Sequence, residues 1–155
     1  QVLGWFQPRS TREFSPDEFP VFVHETDDEH FYGFPRIDVP GVKLGKFHHL
    51  RESIDPNEMA REPTPEDERV LRSYVEEFFP NATGPTMRLK TCIFTNTPDE
   101  HFLVDVHPER PGVIIGGGFS GHGFKFASVL GEILAQLAGE GETRHDIDLF
   151  SADRD

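Results

Sequence analysis

The segment GGGFSGHGFKFAS, Gly116 to Ser128, sets five glycines, His122 and Lys125 directly ahead of an apolar run of helical period. Glycine backbone can approach a flat or anionic ligand closely, and a helix N-terminus adds partial positive charge at that place. A tight strand-to-helix turn needing positive φ uses the same glycines, and at this level both readings stand. His122 and Lys125, three residues apart, share one face of a first helical turn. A lysine there opposes the helix dipole, which favours an anionic partner over simple solvation.

Cys92 lies in KTCIFTNT, where strand alternation puts Lys90, Cys92 and Phe94 on one face. A neighbouring ammonium favours the reactive thiolate. A lone strand cysteine is equally an inert core residue, and the spacing does not choose between the two. Of the eight histidines, His101 and His107 flank Asp105 in HFLVDVH. Six residues of strand separate them by roughly 20 Å, so they cannot share one ion, and no metal site is expected. His48 and His49 are adjacent and must point to opposite sides of an extended chain, so at most one of them lines any given pocket.

The elements that position these residues follow from period and punctuation. VLGWF, FPVFVHE, HFYGFPRI, VKLGKFHH, MRLKTCIFTNT, HFLVDVH and GVIIGG read as seven short strands separated by Pro, Gly and Asp. TPEDERVLRSYVEEFFP reads as a helix with Thr64 as N-cap, Pro65 at the first position and Pro80 as the stop. A second helix is expected from about Gly123 to Ala138, its stripe formed by Phe126, Val129, Leu130, Ile133, Leu134 and Leu137. The last residues of the tail DIDLFSADRD are expected to fray. Strands without a strand–helix alternation predict an α+β fold with a mostly antiparallel sheet and two main helices.

Composition excludes several classes. The 28 acidic against 15 basic residues give a net charge of −13, which repels nucleic acid and anionic lipid. Only Lys43, Lys46, Lys90 and Lys125 are lysines, a balance that suits a salt-rich cytoplasm as well as an ordinary acidic domain. One cysteine rules out an internal disulfide and fits a cytoplasmic location. No apolar run reaches the roughly 20 residues of a membrane span. No GxGxxG follows a first strand, so if a dinucleotide binds, other polypeptide must hold most of it. A first residue other than Met, inside an apparent strand, reads as a fragment, and unpaired strand edges lead to an expectation of self-association.

Taken together, YGFP (Tyr32–Pro35), VKLGKFHH (Val42–His49), IDP (Ile54–Pro56), CIFTNTPDEHFLVDVHPE (Cys92–Glu109), GFSGHGFKF (Gly118–Phe126) and HDIDLFSADR (His145–Arg154) resemble the C-terminal, substrate-domain part of the monomeric sarcosine oxidase and N-methyltryptophan oxidase family. The resemblance spans nearly the whole chain, and the cysteine followed by TxTPDEHF and GFSGHGFK is its most specific part. It implies the substrate-domain half of a D-amino-acid-oxidase-like flavoprotein. It also implies oxidation of small secondary amino acids, with hydride passed to FAD and electrons then to O2 to give hydrogen peroxide.

The resemblance further implies site roles. Cys92 would carry FAD through a thioether. Lys43 would promote reaction with O2, with Lys43 and His48 as the catalytic pair. Tyr32 and Lys125 would bind substrate, Lys125 at its carboxylate, with His48 preferred over His49 in the pocket. Gly118, Gly121, His122 and Gly123 would lie along the cofactor. Phe94 stands where the family often has tyrosine. The N-terminal FAD-binding segment is expected as a partner, without which the isolated 155-residue chain is expected to be inactive and need not hold FAD; a non-catalytic binding domain of the same fold is the alternative.

Overall fold

A strand with one face against a helix must alternate buried and exposed side chains, and the first strand, β1 (Val2–Phe6), does so: Val2, Gly4 and Phe6 are buried and Leu3 and Trp5 half-buried. In the computed structural model, which describes residues 1–59 and 62–154, β1 lies inside a five-stranded sheet with β2 (Phe22–Glu25), β3 (His30–Phe34), β4 (Val42–Lys46) and β5 (Thr86–Thr91). The order is β2-β3-β4-β1-β5, every pair is antiparallel, and β2 and β5 form the edges.

Helix α1 (Pro65–Phe78) covers one face with Leu71, Tyr74 and Val75, against Val2, Phe6, Phe31, Val42 and Leu44. Tyr74 stacks on Phe31, centroids 3.9 Å apart. Phe14, Phe19, Phe22 and Phe79 extend this core in tilted and edge-on contacts.

The start of α1 is a capping box. The Asp67 carboxylate accepts from the Thr64 amide at 2.7 Å and the Thr64 hydroxyl at 2.8 Å, and Thr64 Oγ1 accepts from the Asp67 amide. Its other oxygen accepts from His49 Nε2 at 3.0 Å, which fixes the proton on Nε2 because a carboxylate can only accept. His49 is 4% exposed and its Nδ1 has no partner among the described residues.

The chain divides into two compact units, Gln1–Ile93 and Phe94–Asp155. The second contains a hairpin of β6 (Leu103–Val106) and β7 (Ile114–Gly117), then a 3₁₀ turn over Phe124–Phe126 and helix α2 (Ala127–Glu140). Its core joins Phe102 and Val104 to Leu130, Ile133 and Leu137. Gly141, at φ 81°, closes α2 by donating to the Leu137 carbonyl.

All seven strands and both helices thus stand where period and punctuation put them, in an α+β fold, with four differences. The strands form two sheets where one was expected. Strand β5 stops at Thr91, and beyond Cys92, which still bonds Gln1, the backbone changes partner: the Thr95 carbonyl accepts from the Ser120 amide at 3.1 Å. Helix α2 begins at Ala127, behind the 3₁₀ turn, and runs to Glu140. The tail is tied down where fraying was expected. Phe150 stacks on Phe102, Ser151 and Ala152 donate to Asp105, and Arg154 pairs with Asp99 and donates to the Ser151 and His101 carbonyls.

The Asp67–His49 joint makes stability pH-dependent. Burial lowers the His49 pKa against the pull of Asp67, and protonating Nδ1 would bury an unpaired donor. Burial alone would raise Asp67, but the Thr64 amide and hydroxyl and His49 bring it below the ordinary carboxylate value. His49 therefore contributes fully above about pH 6.5 and loses its contribution as pH falls below that; Asp67 contributes above about pH 4 and loses it on further acidification. Denaturant unfolding of the full protein is expected to show declining stability from about pH 7 to 5. Asp67→Ala should cost about 1–3 kcal/mol at neutral pH and steepen that slope, because His49 would lose the partner that opposes the lowering of its pKa.

Candidate functional site

With α1 on one face of the five-stranded sheet, alternation sends every second side chain to the other. Register brings them into rows. In the first, Phe34 of β3 stands opposite Lys43 of β4, Lys43 opposite Trp5 of β1, and Trp5 opposite Arg88 of β5. In the next, Tyr32 stands opposite Gly45, Gly45 opposite Leu3, and Leu3 opposite Lys90. Beyond these, Cys92 exchanges both backbone hydrogen bonds with Gln1, each 2.9 Å, so its half-buried side chain lies on the same open face. Cys92, Tyr32 and Lys43, proposed from scattered motifs, therefore share one surface.

Lys43 Nζ sits 4.8 Å from the centre of the Phe34 ring and 5.5 Å from that of Trp5, and makes no ion pair among the described residues. The Arg88 guanidinium lies 5.5 Å from the same Trp5 ring, and Arg88 and Lys90 are exposed. The strand residues of this face include one carboxylate, Glu25, on the outer strand β2. A chain of net charge −13 has kept acids off the surface where Lys43 stands.

Tyr32 lies across Gly45: a Cβ on that glycine would meet the tyrosine hydroxyl oxygen at 2.5 Å. Phe47 flanks its ring at 4.8 Å. Burial, and secondarily the negative charge that Cys92 carries when ionised, push the Tyr32 pKa up to about 12. The hydroxyl is consequently a donor, not a base, at neutral pH.

His48 follows β4 in a turn with φ 51°, a left-handed conformation unusual for a side chain of this size, and its carbonyl accepts from the Arg51 amide. His49 is committed to Asp67; both histidines lie in the turn after β4, which ends at Lys46, so the alternation expected of an extended chain does not apply to them.

The second unit carries the glycine segment. Gly118 and Gly121 have φ of 57° and 77°, and Ser120 between them 45°. A Cβ on Gly118 would meet Thr97 at 2.5 Å, one on Gly121 the Phe94 ring at 2.4 Å, and one on Gly123 the Phe119 side chain at 2.6 Å. Positive φ and close packing against the unit's own side chains thus account for these glycines; Gly117 alone in this run has open space beside it. The His122 ring bonds the Ser120 carbonyl and rests 4.9 Å from Phe102. Lys125 is exposed, its ammonium 5.2 Å from the Phe126 ring, beside Phe124 at 95% exposure. No cluster of metal-ligating side chains occurs among the described residues.

Sequence reasoning missed Trp5, Phe34, Arg88 and Gly45. Alternation in VLGWF could have set Trp5 opposite Val2 and Phe6, but its row mates depend on register between strands about 37 and 83 residues distant in the chain, which period does not encode.

A family model for FAD-dependent oxidoreductases matches residues 5–137. The monomeric sarcosine oxidase of Bacillus sp. (strain NS-129) is 45% identical over 157 residues, covering 100% of this chain and 40% of that protein. The N-methyl-L-tryptophan oxidase of Yersinia pestis (strain Pestoides F) is 36% identical over 158 residues, covering 99% and 41%. Among solved structures, L-proline dehydrogenase from P. horikoshii superposes with a TM-score of 0.76 at 23% identity, over 97% of this chain and 37% of that one. Amadoriase II from Aspergillus fumigatus gives 0.73 at 21%, over 99% and 38%. The chain spans about two fifths of the length of the curated relatives it matches. It belongs to the FAD-dependent oxidoreductase family.

Proposed function

We propose that this chain is part of a FAD-dependent oxidase of small secondary amino acids, sarcosine-like N-methyl amino acids among them, that uses O2 as acceptor and releases hydrogen peroxide. The observation that carries this reading is the meeting of Cys92, Tyr32 and Lys43 on one sheet face poor in carboxylates. The named activities of the sarcosine and N-methyltryptophan oxidase relatives support the substrate class.

The open face suits a planar cofactor that becomes anionic. Lys43 and Cys92 stand two strands, roughly 10 Å, and four residues, roughly 13 Å, apart along the face, a span that a lysine side chain and a tricyclic ring can cover together. When bound, the flavin supplies the two-electron chemistry, accepting hydride from the amine and passing electrons to O2.

The chain's own residues then have separable tasks. Cys92 holds the cofactor through a thioether. Lys43 presents a fixed ammonium, with no carboxylate partner among the described residues to cancel it, to the negative charge that develops on oxygen. Tyr32 donates a hydrogen bond in the substrate pocket, with His48 beside it as the second pocket residue. Lys125 binds the substrate carboxylate, a role for which an exposed ammonium at a helix start is free. Gly118, Gly121, His122 and Gly123 line the cofactor, and Phe94 leaves the pocket one hydroxyl poorer than a tyrosine would. An N-terminal dinucleotide-binding segment, with GxGxxG after its first strand, completes the protein.

Two measurements test this reading on the full-length protein. Acid precipitation should give a yellow pellet from wild type and a colourless one from Cys92→Ser, with peroxide formed from sarcosine or another secondary amino acid; complete release of flavin from wild type, or no peroxide with any such amine, would overturn the assignment. Separately, the pH profile of amine oxidation should show no ionisation belonging to Tyr32 near pH 10, the ordinary tyrosine value. A limb there that vanishes in Tyr32→Phe would show that the hydroxyl titrates in the working range.

A further inference from the structure

Lysine is a long, flexible side chain, and an ammonium on an open sheet face ordinarily wanders or pairs with a carboxylate. Lys46, three positions along β4 and on the α1 side of the sheet opposite Phe31, pairs with Glu29. Lys43 does neither. Its Nζ lies within cation–π distance of two rings, Phe34 at 4.8 Å and Trp5 at 5.5 Å, which flank it from the adjacent strands in direct register.

We propose that Trp5 and Phe34 are positioning residues for Lys43: their rings hold its ammonium in place over the open face while leaving its charge available to the oxygen half of the reaction. The inference rests on the role given to Lys43 above. The physical distinction from a salt bridge is decisive. A carboxylate would fix the ammonium but cancel its field, whereas a ring quadrupole attracts the cation without contributing net charge. Arg88, opposite Trp5 in the same row and 5.5 Å from its ring, adds a like charge on the β5 side of Lys43. That repulsion biases Lys43 toward Phe34, in keeping with the shorter of its two distances. The row Phe34, Lys43, Trp5, Arg88 is therefore a cross-strand device in which aromatic and cationic side chains alternate over four strands.

The test uses the full-length flavoprotein. Lysines are converted to 13C-dimethyl-lysine and the Lys43 resonance is assigned with Lys43→Arg. Ring currents should displace this resonance from the position of exposed lysines. Trp5→Leu and Phe34→Leu should each move it back toward that position, and Trp5→Phe should largely retain the displacement. In parallel, the reaction of the reduced protein with O2 should slow about fivefold in either leucine variant, with anaerobic reduction by the amine changed less than about twofold, and Trp5→Phe should recover most of the oxygen step. A Lys43 resonance that neither leucine variant moves overturns the clamp. So does a moved resonance with an unchanged oxygen step where Lys43→Met slows that step. If Lys43→Met leaves the oxygen step untouched, the role assigned to Lys43 fails first, and the failure is located in the functional reading because the resonance still reports where the ammonium sits. Should Trp5→Leu not fold, Phe34→Leu and the wild-type resonance decide alone.

Discussion

Each strand of an antiparallel sheet can give only alternate residues to a core, and here α1 has claimed one face of five strands. Everything chemical in the first unit follows from that parity. Val2, Phe6, Phe31, Val42 and Leu44 go to the helix, so Trp5, Tyr32, Phe34 and Lys43 must go to the other side, with Cys92 in step beyond the end of β5. A slip of one residue in β4 would bury the Lys43 ammonium and expose Leu44, which is fully buried. The candidate site is thus held in register by the core it does not belong to.

The bulge in β5 shows how closely this parity is managed. Trp5 pairs with Arg88 but Phe6 with Thr86, leaving Met87 as the extra residue. The shift lets Thr86 face α1, where it bonds Glu68 and Arg72, while Arg88, Lys90 and Cys92 keep to the open face. Without the bulge, either Thr86 would lose its partners on the helix or the cysteine would turn inward. Parity also explains how solved structures only 21–23% identical to this chain keep its fold with TM-scores of 0.73–0.76. Alternation constrains the class of residue at each position far more than its identity.

What was legible in the sequence divides along the same line. Local signals sufficed for the elements: Thr64, Pro65 and Pro80 bracket α1, and short β-favouring runs between turn residues locate all seven strands. That Cys92 shares a face with Lys90 was legible from parity, but whether that face was core or open was not. Long-range pairing was not. The split into two sheets, the change of partner after Cys92 and the row through Trp5 each depend on contacts between distant segments. The glycine segment illustrates an intermediate case. Positive φ at Gly118 and Gly121 is a local property that the turn reading anticipates, but the Thr97 and Phe94 side chains that fill the missing Cβ positions come from a stretch read as a strand running straight on. The tail failed for the converse reason. Short polar segments fray when nothing binds them, and nothing local announces that Asp99 and Asp105 wait to receive Arg154, Ser151 and Ala152.

Charge distribution carries the last step. Under the role proposed for Lys43, a chain whose 28 acidic residues outnumber its 15 basic ones must hold a cation without a carboxylate. A carboxylate on Lys43, like Glu29 on Lys46, would hold the ammonium but cancel its field. Aromatic side chains resolve the conflict, because they grip a cation through a quadrupole whose field dies away quickly with distance and leaves the monopole intact. The half-buried setting strengthens the attraction relative to open water, and the absence of acids from the inner strands of the face lets the remaining potential reach outward. Tyr32 fits the same logic: held flat over Gly45 with its proton retained, it offers a hydrogen bond without adding a negative charge beside the lysine.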